Sequence, residues 1–341
     1  MLSAQPYDEN VVVADRPFRI ERWRVQGTTL VTAIPQVPGS LVEHRAAIQQ
    51  LIDDYLPTNG GVLLRGFGAV DPDGFHALAA ASSGDLLGYD FASTPRTKIG
   101  RGIYTSTEYP ADQWIPQHNE QSYTTTWPMK IWFYCQEAAS RGGETPVTDS
   151  RAVYRRIDPA LRARFSRDGL LYVRNYSEGL DLRWQDVFRT TEKSQVEAFC
   201  RQRGVDCEWS ADGVLRTRQL CQSEAVHPGT GEPVWLNQAH LFHVSALHPD
   251  VREALLEIVS EEELPRNVYY GNGDPIEDSV LDEIRAHFRT EMLRFTWQAG
   301  DIMLLDNMLM AHGRSPFEGK RRVLVAMAQP FSSSFQKSRS S

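Results

Sequence analysis

Residues 117–139 read QHNEQSYTTTWPMKIWFYCQEAA, a polar half followed by an apolar half. The apolar half, Met129–Ala139, is rich in aromatic and β-branched residues and lies between Pro128 and a pair of glycines, which predicts a strand. Similar runs predict further strands at 169–176, 233–243, 292–298, 301–307 and 321–331. These strands do not alternate regularly with helices. We therefore expect a mostly β fold with flanking helices and a double-stranded β-helix (jelly roll) core, rather than a Rossmann sheet.

Helical periodicity places several helices around these strands. Apolar residues recur at helical spacing over Leu41–Leu56, and Asn59 with two glycines ends this predicted helix. The remaining helices are predicted at 150–167, 191–203, 249–258 and 276–290. We expect one catalytic domain over residues 1–341, with helical insertions at roughly 168–230 and 249–290 and a frayed polar tail at 332–341.

Charge and composition narrow the classes of partner. The chain has 341 residues and a formal net charge of −8, which argues against nucleic acid as an obligate partner and against binding to an anionic membrane surface. We expect no membrane span and no secretory signal, because the sequence has no long apolar run and no basic start. The 4 cysteines are sparse and none is spaced CxxC, which indicates a reduced, cytoplasmic protein. No glycine-rich phosphate-binding motif is present.

The polar half of the opening stretch carries His118 and Glu120 two positions apart. Side chains at this spacing on a strand point to the same side, so an extended segment would direct both groups to one point. They would form two of the three ligands of a two-histidine, one-carboxylate iron site with open positions. The third ligand would be a histidine from elsewhere, and His240, His243 and His312 are the candidates.

Two arginines follow the last of these histidines. Arg321 and Arg322 open a predicted strand about ten residues after His312. A buried arginine must be paired, and a small anion is a natural partner because a guanidinium binds a carboxylate through two parallel hydrogen bonds. The arrangement therefore predicts a small acidic molecule beside the metal.

Six motifs occur in order along most of the chain: GGVLLRGF, HNEQSY, GGETPVTDSRAVY, VWLNQAHLFH, WQAGDIMLLDNMLMAHGR and PFEGKRRVLVAM. In order and spacing they resemble the iron(II)- and 2-oxoglutarate-dependent dioxygenases of the taurine dioxygenase superfamily, and most of all the branch of the syringomycin-pathway aspartate hydroxylase. The resemblance implies Fe(II), 2-oxoglutarate and O2 as cofactors. It also implies that His118, Glu120 and His312 are the metal ligands and catalytic residues.

The same resemblance implies a binding site for 2-oxoglutarate. Thr145 in GGET matches a threonine that helps to hold one carboxylate, and Arg322 matches the arginine that binds the far carboxylate. Arg321 is the alternative anchor; Arg322 is preferred because the family strand runs Arg-x-(Leu/Met). Glu120 stands where aspartate is commoner, and its carboxylate argues against the radical halogenases of the superfamily, which lack one.

The implied reaction is hydroxylation of an unactivated carbon. Desaturation, epoxidation or cyclisation with the same cofactors is the alternative, and a zinc hydrolase or a non-catalytic jelly-roll binding protein is less favoured. The second strand arginine that some relatives use for an anionic substrate falls at Ala326, which disfavours a sulfonate. We therefore expect an amino acid or an amino-acid-derived natural-product intermediate, free or presented on a peptidyl carrier protein. The sequence does not indicate whether the protein is a monomer or an oligomer.

Several polar residues flank the matched motifs and are candidate substrate contacts: Tyr104, Gln121, Tyr123, Asn237, Gln238 and His240. Asn237 is preferred among them, because a strand over 233–243 would turn its polar face to the mouth of the barrel.

Overall fold

The computed structural model describes residues 6–7, 17–37, 39–88, 96–106, 109–177, 179–180, 182–333 and 335. The predicted frayed tail at 332–341 falls largely outside these residues.

Strands outnumber helices in the described chain. The strands are β1 (Pro6–Tyr7), β2 (Phe18–Val25), β3 (Thr28–Pro35), β4 (Gly61–Leu64), β5 (Lys98–Gly100), β6 (Ile103–Thr105), β7 (Ile115–His118), β8 (Thr126–Glu137), β9 (Arg141–Gly142), β10 (Val147–Asp149), β11 (Leu170–Asn175), β12 (Asp206–Trp209), β13 (Leu215–Cys221), β14 (Glu224–Val226), β15 (Pro233–Trp235), β16 (Arg266–Tyr270), β17 (Ile302–Asp306), β18 (Met310–Arg314), β19 (Phe317–Glu318) and β20 (Arg322–Ser332). The α-helices are α1 (Arg45–Asn59), α2 (Pro72–Ser83), α3 (Ser150–Arg156), α4 (Pro159–Asp168), α5 (Trp184–Phe188), α6 (Lys193–Arg203), α7 (Ala239–Phe242), α8 (Pro249–Ile258) and α9 (Asp278–Glu291).

The strands form one large sheet and several small ones. The large sheet has the order β1-β2-β3-β4-β17-β8-β20-β6-β5, and its neighbours pair antiparallel except for β3 with β4. A three-stranded sheet has the order β10-β18-β7, and a four-stranded sheet has the order β12-β13-β11-β16. Two pairs, β14 with β15 and β19 with β9, complete the set. The predicted mostly β fold with flanking helices is confirmed at this level.

The central strand β8 separates two layers of core. On one face, Ile131 and Phe133 pack in a cluster with Val147 and Met310 of the three-stranded sheet. On the other face, Trp132 belongs to a cluster that contains buried residues of α1 and α2. Because a strand alternates its faces, the same long apolar run serves both layers, and the layer beside the three-stranded sheet is where the candidate site lies.

Most predicted helices are present with shifted ends. The first helix covers Arg45–Asn59 rather than 41–56, and those predicted near 191–203, 249–258 and 276–290 correspond to α6, α8 and α9. The helix predicted at 150–167 is two helices, α3 and α4. The break follows from Pro159, which disfavours helical geometry at Asp158, and the Asp158 carboxylate instead caps α4 by accepting from the amide of Ala160 at 2.8 Å.

Two predicted strands are wrong in part. The run 233–243 is a strand only over Pro233–Trp235, and it then turns into α7. The Asn237 side chain accepts a hydrogen bond from the amide of Ala239, a local contact that competes with extended backbone. The run 292–298 forms only a single bridge, between Leu293 and Val147.

The predicted insertions also need correction. The segment 168–230 contains strands β11 to β14 as well as α5 and α6, so it is not simply helical.

Within the described part of the chain, no helix is both long and apolar enough to cross a membrane.

Candidate metal centre and its two cavities

The two predicted histidine ligands lie on neighbouring strands. His118 ends β7 and pairs directly opposite His312 of β18. A Cβ at Gly313 would lie 2.4 Å from the carbonyl oxygen of Ile115, so glycine is what allows the two strands to approach here. The imidazole centroids are consequently 4.7 Å apart.

Glu120 reaches the same point from a turn. The strand ends at His118, and Glu120 and Gln121 begin a turn in which Gln121 has a φ of 58°. Oε2 of Glu120 lies 3.9 Å from Nε2 of His312, and the ligand atoms of the three residues lie within 4.8 Å of one another. The structure thus brings the three predicted ligands together. The premise that Glu120 projects from an extended strand is wrong, because the chain turns after His118.

The protonation of the histidines suits a metal. Nδ1 of His118 lies 2.9 Å from the carbonyl oxygen of Pro116, which only accepts, so Nδ1 holds the proton and Nε2 presents a lone pair. Burial lowers the pKa of His118 and lowers the pKa of His312 well below its ordinary value. Two neutral imidazoles and a carboxylate that leave further positions open form a donor set that fits iron(II).

Asn307 holds the turn that carries Glu120. Its Oδ1 accepts from the Glu120 amide at 2.7 Å, and its Nδ2 donates to the carbonyl oxygens of Glu120 at 3.0 Å and Pro128 at 2.9 Å. Its own carbonyl accepts from Nδ2 of Asn119 at 2.6 Å. The turn between β17 and β18 therefore fixes the backbone of the acidic ligand.

A guanidinium that the sequence interpretation missed contacts the acidic ligand. Nη2 of Arg96 donates to Oε2 of Glu120 at 2.6 Å. The two side chains are only 3% and 4% exposed, so the pair is buried. No local pattern around Arg96 distinguishes it from a surface arginine, which is why spacing gave no signal for it.

One cavity beside the histidines is basic. Thr145, Arg314 and Arg321 line it together with the two histidines. Thr145 accepts a hydrogen bond from Nε1 of Trp297 at 3.0 Å, which leaves the threonine hydroxyl proton available to a ligand.

Arg314 and Arg321 each donate to backbone oxygens. Nε of Arg321 donates to the carbonyl oxygen of Gly143 at 2.9 Å. Burial, together with the positive charge of Arg314, lowers the pKa of Arg321 to about 10, so the guanidinium still carries its charge at neutral pH. Arg314 donates to the carbonyl oxygens of Tyr109 and Gln113, and its place two residues after His312 was the signal that could have identified it.

The structure does not place Arg322, the preferred anchor, beside the histidines. Arg322 is exposed and is not among the residues that line the cavity. Arg321 precedes β20 and lines the cavity together with the histidines, whereas Val323 and Val325 of β20 lie in the core cluster on that side of the sheet. When the register is counted from Arg321 instead of Arg322, the second strand arginine of some relatives falls at Val325 instead of Ala326. Neither residue is basic.

The second cavity has a volume of about 170 Å³ and opens beside His118 and Glu120. Its other lining residues combine aromatic and apolar groups with two guanidinium groups and an amide: Arg96, Tyr109, Trp114, Ile115, Pro116, Gln238, Leu241, Phe242 and Arg266. Gln238 is thus the flanking polar residue that does line this cavity. Such a surface suits a small ligand with both a polar and an apolar part.

The five other predicted substrate contacts do not line this cavity. Tyr104 and Tyr123 are each 3% exposed and lie in core clusters. Gln121 lines a separate cavity with Phe199 and Arg203. Nδ2 of Asn237 donates to the carbonyl oxygen of Ser223 at 2.6 Å, and the strand that motivated its choice is absent at this position.

His240 is packed inside the fold by contacts with its neighbours. Its Nε2 lies 2.9 Å from the carbonyl oxygen of Gln117, and its ring stacks on Phe288 at 4.4 Å. The contact with Gln117 supports β7 directly before His118.

Comparison with known proteins agrees with this geometry. Residues 27–327 match the family model described as "Taurine catabolism dioxygenase TauD, TfdA family". The chain is 43% identical over 279 residues to the dapdiamide synthesis protein DdaC of Enterobacter agglomerans, covering 82% of this chain and 85% of that protein. It is 30% identical over 290 residues to a clavaminate synthase-like protein of Arabidopsis thaliana, covering 82% and 84%.

Solved structures resemble the chain in fold. PvcB of Pseudomonas aeruginosa aligns with a TM-score of 0.57 at 17% identity over 94% of each chain. A second PvcB structure, described as an Fe, alpha-ketoglutarate dependent oxygenase from an isonitrile synthetic pathway, aligns with a TM-score of 0.55 at 18% identity over 94% of each chain.

Proposed function

Because the chain belongs to the TauD/TfdA dioxygenase family, we propose that it oxidises a carbon of an amino acid or an amino-acid-derived natural-product intermediate. It is a non-haem iron, 2-oxoglutarate-dependent dioxygenase, and Fe(II), 2-oxoglutarate and O2 are its cofactors. The observation that carries the proposal is the convergence of His118, Glu120 and His312 beside a cavity of mixed polarity. Hydroxylation is the outcome that we favour.

Three side chains hold the metal in this proposal. Nε2 of His118 and Nε2 of His312 supply two neutral donors, and the Glu120 carboxylate supplies the anionic one. When bound, iron and 2-oxoglutarate supply the oxidising power for an unactivated C–H bond, with 2-oxoglutarate converted to succinate and CO2. Asn307 fixes the backbone of Glu120, and Pro116 fixes the tautomer of His118.

Thr145 and Arg321 bind the far carboxylate of 2-oxoglutarate. The guanidinium retains its charge, and the threonine oxygen accepts from Trp297, which leaves the hydroxyl proton available to a carboxylate. Both residues line the same cavity as the two histidines. A buried arginine pairs with a carboxylate through charge-assisted hydrogen bonds, which supports Arg321 over the exposed Arg322.

The cavity beside Glu120 receives the substrate. Its volume of about 170 Å³ lies below the roughly 300–1,000 Å³ of sites for drug-sized ligands, which favours a group of amino-acid size. Presentation on a peptidyl carrier protein fits this size, because only the amino-acyl end of the carrier's arm has to enter. DdaC is named for dapdiamide synthesis, which supports a role in natural-product formation.

The core of the fold is a jelly roll in this proposal. Strands β8, β17 and β20 of the large sheet and strands β10 and β18 of the three-stranded sheet contribute to one shared hydrophobic cluster. Two sheets that face each other across such a cluster are the arrangement that a jelly roll requires.

The test is turnover with defined substrates. The protein is incubated with Fe(II), 2-oxoglutarate, O2 and a panel of amino acids, each offered free and as a pantetheine thioester, and succinate and product masses are measured. Hydroxylation adds one oxygen, whereas desaturation removes two hydrogens. His312→Ala serves as the control without a complete ligand set. If no amino acid or thioester increases succinate formation above the background without substrate, the proposed substrate class is wrong.

A further inference from the structure

Arg96 occupies a position that the iron chemistry does not explain. Its guanidinium donates to Glu120, one of the three proposed metal ligands, and both side chains are almost fully buried. Arg96 lines the basic cavity beside Thr145 and also the larger cavity beside Glu120. It therefore lies at the junction of the two cavities, next to the metal centre.

The contact involves the oxygen that faces the metal position. Oε2 of Glu120 is the atom that lies 3.9 Å from Nε2 of His312. The same atom accepts the hydrogen bond from Arg96 at 2.6 Å. A guanidinium bound to this oxygen places a positive charge against the point at which the three ligand atoms converge.

A divalent cation and this guanidinium make opposing demands on Glu120. Two like charges a few ångströms apart in a buried site repel strongly, since little water separates them. The basic cavity reinforces the conflict, because its volume of about 30 Å³ has room for one or two waters but not for a five-carbon dicarboxylate. A side chain that lines the cavity must therefore move when 2-oxoglutarate enters.

We propose that Arg96 competes with the metal for the Glu120 carboxylate, so that metal binding and release of Arg96 from Glu120 are one coupled step. This inference rests on the proposed iron site. Because linkage is reciprocal, Arg96 weakens metal binding by the same factor by which the metal weakens the Arg96–Glu120 pair. Release moves the guanidinium away from the ligand oxygen and makes room in the basic cavity for the co-substrate.

A different arrangement predicts the opposite sign. If Arg96 stayed on one carboxylate oxygen while the metal took the other, it would orient the ligand, and its loss would weaken metal binding. The direction of change in metal affinity therefore decides between competition and support.

The experiment is a titration of the full-length protein with Co(II) alone, followed by isothermal calorimetry and visible absorption. The variants are Arg96→Gln, Arg96→Lys and the matched control Arg266→Gln, which removes another arginine of the same cavity. Competition predicts that Arg96→Gln binds Co(II) about tenfold more tightly or better than wild type, because the positive charge is gone. Arg96→Lys, which keeps a charge, should lie between the two, and Arg266→Gln should stay within about twofold of wild type.

Equal or weaker Co(II) binding by Arg96→Gln, in a protein whose circular dichroism matches wild type, would overturn the inference. If Arg96→Gln does not fold, Arg96→Lys decides, and affinity equal to or below that of wild type then counts against competition. Failure of the wild type and of every variant to bind Co(II) would instead overturn the proposed metal site together with the inference.

Discussion

Replacing Asn307 by alanine should reduce both the stability of the protein and its affinity for metal. The Asn307 side chain is fully buried and makes three hydrogen bonds, two to the backbone of Glu120 and one to the carbonyl of Pro128. Each such bond contributes a net ~1 kcal/mol, so Asn307→Ala should lower the free energy of unfolding by about 3 kcal/mol. The loss grows if the three buried partners find no water.

The effect on metal binding follows from the same contacts. Without Asn307, the backbone of Glu120 loses both side-chain anchors, and the turn that aims the carboxylate is less well defined. Loss of groups that orient a ligand typically reduces metal affinity by about 10–100-fold. We expect a decrease in this range for Co(II).

Asn175 provides a matched control. It is 4% exposed, its Nδ2 donates to the carbonyl oxygens of Glu262 at 2.9 Å and Leu264 at 2.7 Å, and its Oδ1 accepts from Arg216 at 2.7 Å. Asn175→Ala therefore removes the same number of hydrogen bonds from a buried asparagine, but in the four-stranded sheet rather than at the metal centre.

Urea unfolding and Co(II) titration of the two variants separate the effects. Both should lose comparable stability, and only Asn307→Ala should lose metal affinity. The reasoning is refuted if Asn307→Ala binds Co(II) like the wild type, or if Asn175→Ala weakens Co(II) binding to the same extent.

Three further predictions concern the surroundings of the site. Arg321→Leu should weaken 2-oxoglutarate binding by about thirtyfold or more, because a buried charge pair is lost. Arg322→Leu should change the 2-oxoglutarate affinity by less than about twofold. The visible absorption band of the iron–2-oxoglutarate complex measures the affinity of both variants. Burial lowers the pKa of His240 to about 3, so below pH ~6.5 the unfolded chain takes up a proton that the folded chain refuses. The free energy of unfolding should then fall by up to ~1.4 kcal/mol for each unit by which the pH decreases below about 6.5. His240→Gln should remove this one-proton contribution to the pH dependence, as measured by urea unfolding between pH 7 and 5. Gly313→Ala should lower the free energy of unfolding by about 1–3 kcal/mol and weaken Co(II) binding, because the added Cβ would force β18 away from Ile115. Unchanged stability and unchanged Co(II) affinity would contradict this prediction.

The sequence was most informative where chemistry depends on residue type. The motifs carried the three metal ligands and Thr145, and the structure brings these residues to one place. The mostly β fold also followed from local patterns, because the run at Met129–Ala139 is rich in aromatic and β-branched residues and is bounded by proline and glycine, and most of it lies in the buried strand β8.

Local patterns failed where the hydrogen bonds of a single side chain decide the conformation. The run 233–243 is apolar enough for a strand, but the Asn237 side chain bonds to Ala239 and Ser223, and the chain turns. Gln238 consequently lines the cavity beside Glu120 and Asn237 does not. Most of the substrate contacts that were expected because they flank the motifs are buried inside the fold: Tyr104, Tyr123, Asn237 and His240.

The acidic ligand illustrates the same limit most directly. The spacing of His118 and Glu120 pointed to a shared face of a strand, yet Glu120 reaches the metal position from a turn whose shape depends on Asn307, 187 positions away in the sequence. The pattern identified residues that the structure brings together, because a carboxylate close in sequence to a histidine has few ways to approach the same point. It could not reveal the turn, because the hydrogen bonds that hold the turn come from the loop between β17 and β18. A substitution in that loop should therefore weaken metal binding although it changes none of the three ligands. If Glu120 instead projected from a regular strand, its position would not depend on Asn307, and Asn307→Ala would leave the metal affinity unchanged.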